Sequence, residues 1–165
     1  MILVVKTMVA QEALEPRPSP MAVAIIKFED TYVKIVYSRP HKKGREIFGV
    51  LESYGKVWRT GANEATEITC TRDIKINGKK LLAGTYSFFS IPQEENWTII
   101  INSGLGQWGA YQYNQELDVM RFEVPIEQTK VPYEPFTIEF VQEAENTNLL
   151  LMWDKTKVSV PIEFL

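Results

Sequence analysis

Most of the chemistry open to this chain lies in one stretch, YSRPHKKGREIFGVLESYGKVWRTGANEAT, which runs from Tyr37 to Thr66. It gathers Arg39, His41, Lys42, Lys43, Arg45, Arg59, Asn63 and Glu64 around Trp58. A guanidinium is a planar fork of donors that can hold a carboxylate, a sulfate or sugar hydroxyls at two points. A second stretch, GQWGAYQY, offers Trp108 and Tyr111. Flat aromatic faces beside polar groups suit a sugar or another ring-shaped ligand. If the two stretches converge, Arg39, Arg45, Arg59, Asn63, Glu64, Trp108 and Tyr111 form a ligand-binding site. The arginines would then hold the charge and the aromatics the ring. A plainer alternative for the first stretch is that Arg59 and Glu64 pair and fix the RTGANEAT turn, since buried charges are usually paired. For the second, it is a long loop packed down by its own aromatics.

Acid–base chemistry has fewer candidates. Glu46, Glu52, Glu64 and Asp154 are the carboxylates considered, and Glu64 is the most interesting because it follows Arg59 and Asn63. Glycoside hydrolysis needs two carboxyl groups at a set separation, which spacing along the chain does not fix. His41 is the only histidine, and no G-x-S-x-G motif accompanies it. It reads as a surface residue or, in the enzyme alternative, as an acid or base. One histidine and one cysteine cannot build a multi-imidazole or cysteine-based zinc site. Neither a calcium-loop motif nor a glycine-rich phosphate loop is present. No metal and no cofactor is therefore expected.

Composition narrows the partners. A chain of 165 residues fits one domain with a core of its own. The net charge of −3 argues against nucleic acid, which needs a basic face. The run Arg39 to Arg45 is the local exception and reads as a solvated loop. Cys70 lies in the alternating segment TEITCT and is expected to be a small buried residue. MILVVKTMVA is too short to span a membrane and is broken by Lys6. It is either the tail of a signal peptide or a first strand. No membrane span is expected in the body of the chain, and sequence gives no oligomeric state.

The elements that must position these groups are strands. QEALEPRPSP carries three prolines in ten positions and reads as an extended lead-in, so residues 1–21 are set apart from a domain over 22–165. AVAIIKF and TYVKIVYS read as a hairpin turning at Glu29-Asp30. Asn77-Gly78 between apolar runs is a strong hairpin signal, because both residues must take positive φ. Ala83-Gly84 marks a bend in KLLAGTYSFFSI. NWTIIIN puts Trp97, Ile99 and Ile101 on one face, and Trp97 and Trp153 read as core. DVMRFEVPI, then a loop through Pro132 and Pro135, then PFTIEFV follow. NLLLMWD and TKVSVPIEF read as a last hairpin around Asp154-Lys155. The expectation is an all-β, single-domain antiparallel sandwich or jelly roll of about nine or ten strands, with little helix.

Several blocks together resemble a known family: YSRPHKKGREIFG, YGKVWRTGANEAT, NGKKLLAGTYSFFSIP, LGQWGAY and MWDKTKVSVPI. They are similar to the bacterial family catalogued as domain of unknown function 2911, over roughly Ala22 to Ile162. That resemblance implies an exported protein, periplasmic or at the cell surface, from the Bacteroidota, although a complete signal peptide is missing. It implies no activity. The reading that follows is an exported binding module for a glycan or small anionic ligand. The rivals are a glycan hydrolase using Glu64 or His41, and a structural or protein-interaction module.

Overall fold

The computed structural model describes residues 15–143 and 146–165. The expectations for Met1 to Ala10 lie outside the described residues. The protein is all-β. The described residues form nine strands: β1 (Met21–Phe28), β2 (Thr31–Ser38), β3 (Thr66–Cys70), β4 (Ile74–Ile76), β5 (Lys79–Leu81), β6 (Gly84–Pro92), β7 (Asn96–Asn102), β8 (Asp118–Glu143) and β9 (Asn146–Phe164). All neighbouring pairs are antiparallel. They form one continuous sheet, not closed on itself, in the order β1-β2-β3-β6-β7-β8-β9-β4-β5.

Two long strands make the sheet continuous, and they correct the expected loop and last hairpin. β8 pairs with β7 from Asp118 to Pro125 and with β9 from Ile126 onward. Pro132 and Pro135 do not interrupt it. They sit where its register with β9 shifts, between Gln128 and Thr137, and a bulge tolerates a residue without an N–H. Asp154-Lys155 is likewise no hairpin turn. Asp154 alone takes positive φ (52°), so β9 bends there and runs on to Phe164. A two-residue hairpin would need positive φ at both central positions. Asn77 and Gly78 do meet that condition, at 48° and 73°, and join β4 to β5.

The core follows from alternation. In β2, Val33, Ile35 and Tyr37 are buried against Ile68, Phe88 and Ile99 of the following strands. At its centre Trp58, Trp97, Trp153, Phe48 and Phe136 pack ring on ring. Tyr37 reaches across to β8, where its hydroxyl donates to Ile138 O (3.3 Å) and accepts from Ile138 N (2.9 Å). Cys70 is buried, as expected, and burial pushes its thiol pKa up.

β6 and β7 break the alternation at Phe88-Phe89 and Ile99-Ile100, where consecutive residues are fully buried. A second, smaller core of Ala65, Phe89 and Ile100 explains this. Tyr113 packs edge-on to Phe89 at 5.2 Å and brings the 103–117 segment down over that outer core. The sheet is therefore covered on both faces here, and the cover carries Trp108 and Tyr111.

Candidate functional site

The loop Trp58 to Thr66 is fixed from within. Trp58 exchanges backbone hydrogen bonds with Ser90, and its Nε1 donates to Gly61 O at 3.1 Å. Thr60, fully buried, shares a hydrogen bond with Ser90 Oγ at 2.9 Å, and its carbonyl accepts from Thr66 Oγ1 at 2.7 Å. Gly61 passes so close to β2 that a Cβ there would stand 2.9 Å from Ser38 O. Thr60 takes φ 53°, an outlier for a β-branched residue that persists only when its surroundings impose it. Such strain concentrates at ligand clamps and switch regions.

This loop meets the 103–117 segment directly. Ala65 N donates to Gln107 O (2.9 Å), Gly109 N donates to Asn63 O (2.9 Å), and Glu64 bridges Trp108 in antiparallel fashion. The two stretches thus enclose a cleft of about 110 Å³ lined by Arg59, Asn63, Trp108, Gly109 and Tyr111. Trp108 is 58% exposed and Tyr111 85%, so neither aromatic holds its loop down; Tyr113 does that. Gly109 has φ 70° and lies under the Tyr111 ring, which a Cβ would meet at 2.8 Å. Arg59 Nε is buried and has no hydrogen-bond partner among the described residues.

The remaining candidates go elsewhere. Arg39 is structural: Nε donates to Phe136 O (3.2 Å) and Nη2 to Thr137 Oγ1 (2.9 Å), tying β2 to β8. Arg45 closes its own turn, donating to Lys42 O and His41 O at 2.9 and 2.6 Å. Glu64 pairs with Arg17 of the lead-in at 2.7 Å, not with Arg59. The Arg17 guanidinium holds the Glu64 carboxyl below the usual range. Glu64 instead lines a separate cavity of about 200 Å³ with Val36, Ser38 and Gln107.

The charge of Arg59 acts on Glu52. The Glu52 turn is tied by hydrogen bonds from Glu52 N to Ile47 O and from Gly49 N to Glu52 O, both 2.9 Å. Burial pushes the Glu52 carboxyl up to about 7, against the pull of Arg59 and Arg45. Sequence offered Glu52 only as one acid among several, because nothing in GVLESYG announces that it is covered. Between the unfolded value near 4.5 and the folded value near 7, the native state holds a proton that the unfolded chain releases. Stability therefore falls as pH rises across that window, and the loss is complete above it. A tenfold change in proton affinity corresponds to about 1.4 kcal/mol. Solvent around a partly buried group reduces the sum to about 2 kcal/mol. Glu52→Gln is expected to equal wild type in stability at pH 4 and exceed it by about that amount at pH 8, measured by urea unfolding at both pH values.

The comparisons agree with the resemblance in the sequence. The family model for a protein of unknown function (DUF2911) matches residues 19–162. The chain belongs to this family. The DUF2911 span takes in both cleft-forming stretches and Glu52, while Arg17, which neutralises Glu64, precedes it. No curated protein and no solved structure matches the chain.

Proposed function

We propose that this DUF2911 protein is a non-catalytic binding module for a small anionic ligand or glycan, received in the cleft between Arg59 and the Trp108–Tyr111 shelf. The Arg59 guanidinium lining the cleft, its Nε without a hydrogen-bond partner among the described residues, beside two exposed aromatics carries this reading. A carboxylate or sulfate in the cleft would meet the Arg59 guanidinium that lines it while a ring lies on Trp108. An exported setting, implied by the family resemblance, belongs to the same proposal.

A screen of glycans and small anions by thermal shift tests it. A ligand at about a hundredfold excess over its Kd is expected to raise the Tm of wild type by roughly 5–10 °C. Arg59→Ala should lose the shift. Silence across the screen, or an equal shift in the variant, counts against the reading.

One observation favours a second reading. The carboxyl of Glu52, near 7, has the proton affinity of a general acid or base at neutral pH. An enzyme acting on a glycan would then use Glu52 rather than Glu64 or His41. A two-carboxylate hydrolase needs a second acid opposite the first, whereas the charged groups acting on Glu52 are two guanidiniums. That asymmetry places binding first. Turnover of a bound glycan, abolished in Glu52→Gln with binding intact, would reverse the order.

A further inference from the structure

Building on that reading, we propose that the ligand is an acidic oligosaccharide, whose charged units run from the Arg59–Trp108 cleft past Ser19 into a basic hollow formed by His41, Lys43 and Arg45. The hollow measures about 350 Å³ and is lined by Pro18, Ser19, His41, Lys43 and Arg45. It adjoins the cleft through one hydrogen bond, from Asn63 Nδ2 in the cleft wall to Ser19 O in the hollow wall, at 3.3 Å. The cleft alone, at about 110 Å³, is smaller than a usual ligand site of roughly 300–1,000 Å³. With the hollow, the groove enters that range.

Uncompensated cations outnumber acids along the groove, with Arg59, Lys43 and Arg45 against Glu134 and Glu52. Two neighbouring cations are already compensated, Arg17 by Glu64 and Lys42 by Asp154 at 2.6 Å. Arg45 spends Nε and Nη2 on neutral carbonyls, which fixes its position without an ion pair. The nearby acids are Glu134, which accepts the Lys43 backbone N–H at 2.7 Å, and Glu52, which feels both Arg45 and Arg59. The groove thus offers Arg59 at one end and Lys43 with Arg45 at the other, with an aromatic shelf at the Arg59 end only. A single anion would use one end. A chain of acidic sugars matches both, with a ring on Trp108 and carboxylates or sulfates on successive units. Single-stranded nucleic acid also combines rings with charge, but it stacks successive bases on aromatic side chains, and the groove carries aromatics at the Arg59 end only.

The test uses the full chain and follows quenching of Trp108, the exposed tryptophan beside three buried ones. The probes are galacturonate, tetragalacturonate, a sulfated tetrasaccharide, a neutral tetrasaccharide and a short oligothymidylate. One acidic tetrasaccharide is expected to bind at least about fivefold tighter than the monosaccharide, and the carboxylate and sulfate arms identify which acid. Lys43→Glu should abolish that gain and leave the monosaccharide affinity unchanged. The Lys43 side chain is exposed, and only its backbone N–H makes the bond to Glu134. Arg59→Gln should weaken both ligands. Tetrasaccharide binding no tighter than the monosaccharide, or indifferent to Lys43→Glu, overturns the extended groove and leaves the single-anion site standing. Preference for the neutral tetrasaccharide or for oligothymidylate overturns the ligand class. Binding indifferent to Arg59→Gln overturns the cleft itself, and with it this inference.

Discussion

Trp58→Ala is expected to lower stability by about 3–5 kcal/mol, the range for deleting a fully packed large aromatic. Trp58 is 3% exposed, stacks on Trp153 at 5.9 Å with rings 14° apart, and meets Trp97 and Phe136 edge-on at 5.7 and 5.0 Å. The cavity would open where the faces of the sheet meet. The loss also reaches the site, because Nε1–H holds Gly61 O and Arg59 follows Trp58 directly. Trp58→Phe separates the two effects. It keeps a ring in the core but leaves the Gly61 carbonyl without its partner, so a loss nearer about 1–2 kcal/mol is expected. Urea unfolding measures both. If Trp58→Phe costs as much as Trp58→Ala, the indole hydrogen bond rather than ring packing is the larger contribution, and this account of the core is wrong.

The fold was legible where local chemistry decides it. Alternation in TYVKIVYS and the Asn77-Gly78 turn each correspond to an observed element, because burial of one face and positive φ are local demands. The hairpin expected at Asp154 but absent and the missed continuity of β8 share a cause. A bend with one left-handed residue and a tight turn both use Asp, and only the partner strand decides between them. The double burial of Phe88-Phe89 is not legible in the strand's own residues, since the segment covering the outer face lies further along the chain. Within the site, residue types were informative and partners were not. Arg59, Asn63, Trp108 and Tyr111 share a cleft, yet Arg39 is tied to Phe136 and Thr137 of β8, and Arg45 lies in the neighbouring hollow, held to carbonyls of its own turn. Nothing in RTGANEAT reveals that Glu64 would turn to Arg17, or that the charge of Arg59 would act on Glu52.

The aromatic half of the cleft depends on a different buried residue, so the two halves can be disabled separately. Asn102 ends β7, is fully buried, and anchors the segment that carries Trp108 and Tyr111. Its Nδ2 donates to Asn114 O (2.9 Å) and Asp118 Oδ1 (2.8 Å), and its Oδ1 accepts from Gly104 N (2.9 Å). Asp118 in turn takes the Tyr113 hydroxyl at 2.7 Å and pairs with Arg121 at 2.7 Å. Burial, reinforced by the Asp118 carboxylate, pushes the Tyr113 hydroxyl up to about 12, so it remains a donor through the neutral range. Asn102→Ala would strand an N–H, a carbonyl and one oxygen of a carboxylate together. With about 1 kcal/mol or more for each, and water reaching the partly buried ones, a loss of about 3 kcal/mol is expected. The core around Trp58 does not contain Asn102, so that packing should survive. Hydrogen exchange checks this. Amides of residues 103–117 should lose protection while those of β2 and β3 keep theirs, scaled only by the global loss. Ligand affinity should fall through the lost Trp108–Tyr111 shelf with Arg59 still in place. Uniform deprotection of the whole sheet would mean that the segment and the core unfold together, and that the aromatic wall is no separable part of the site.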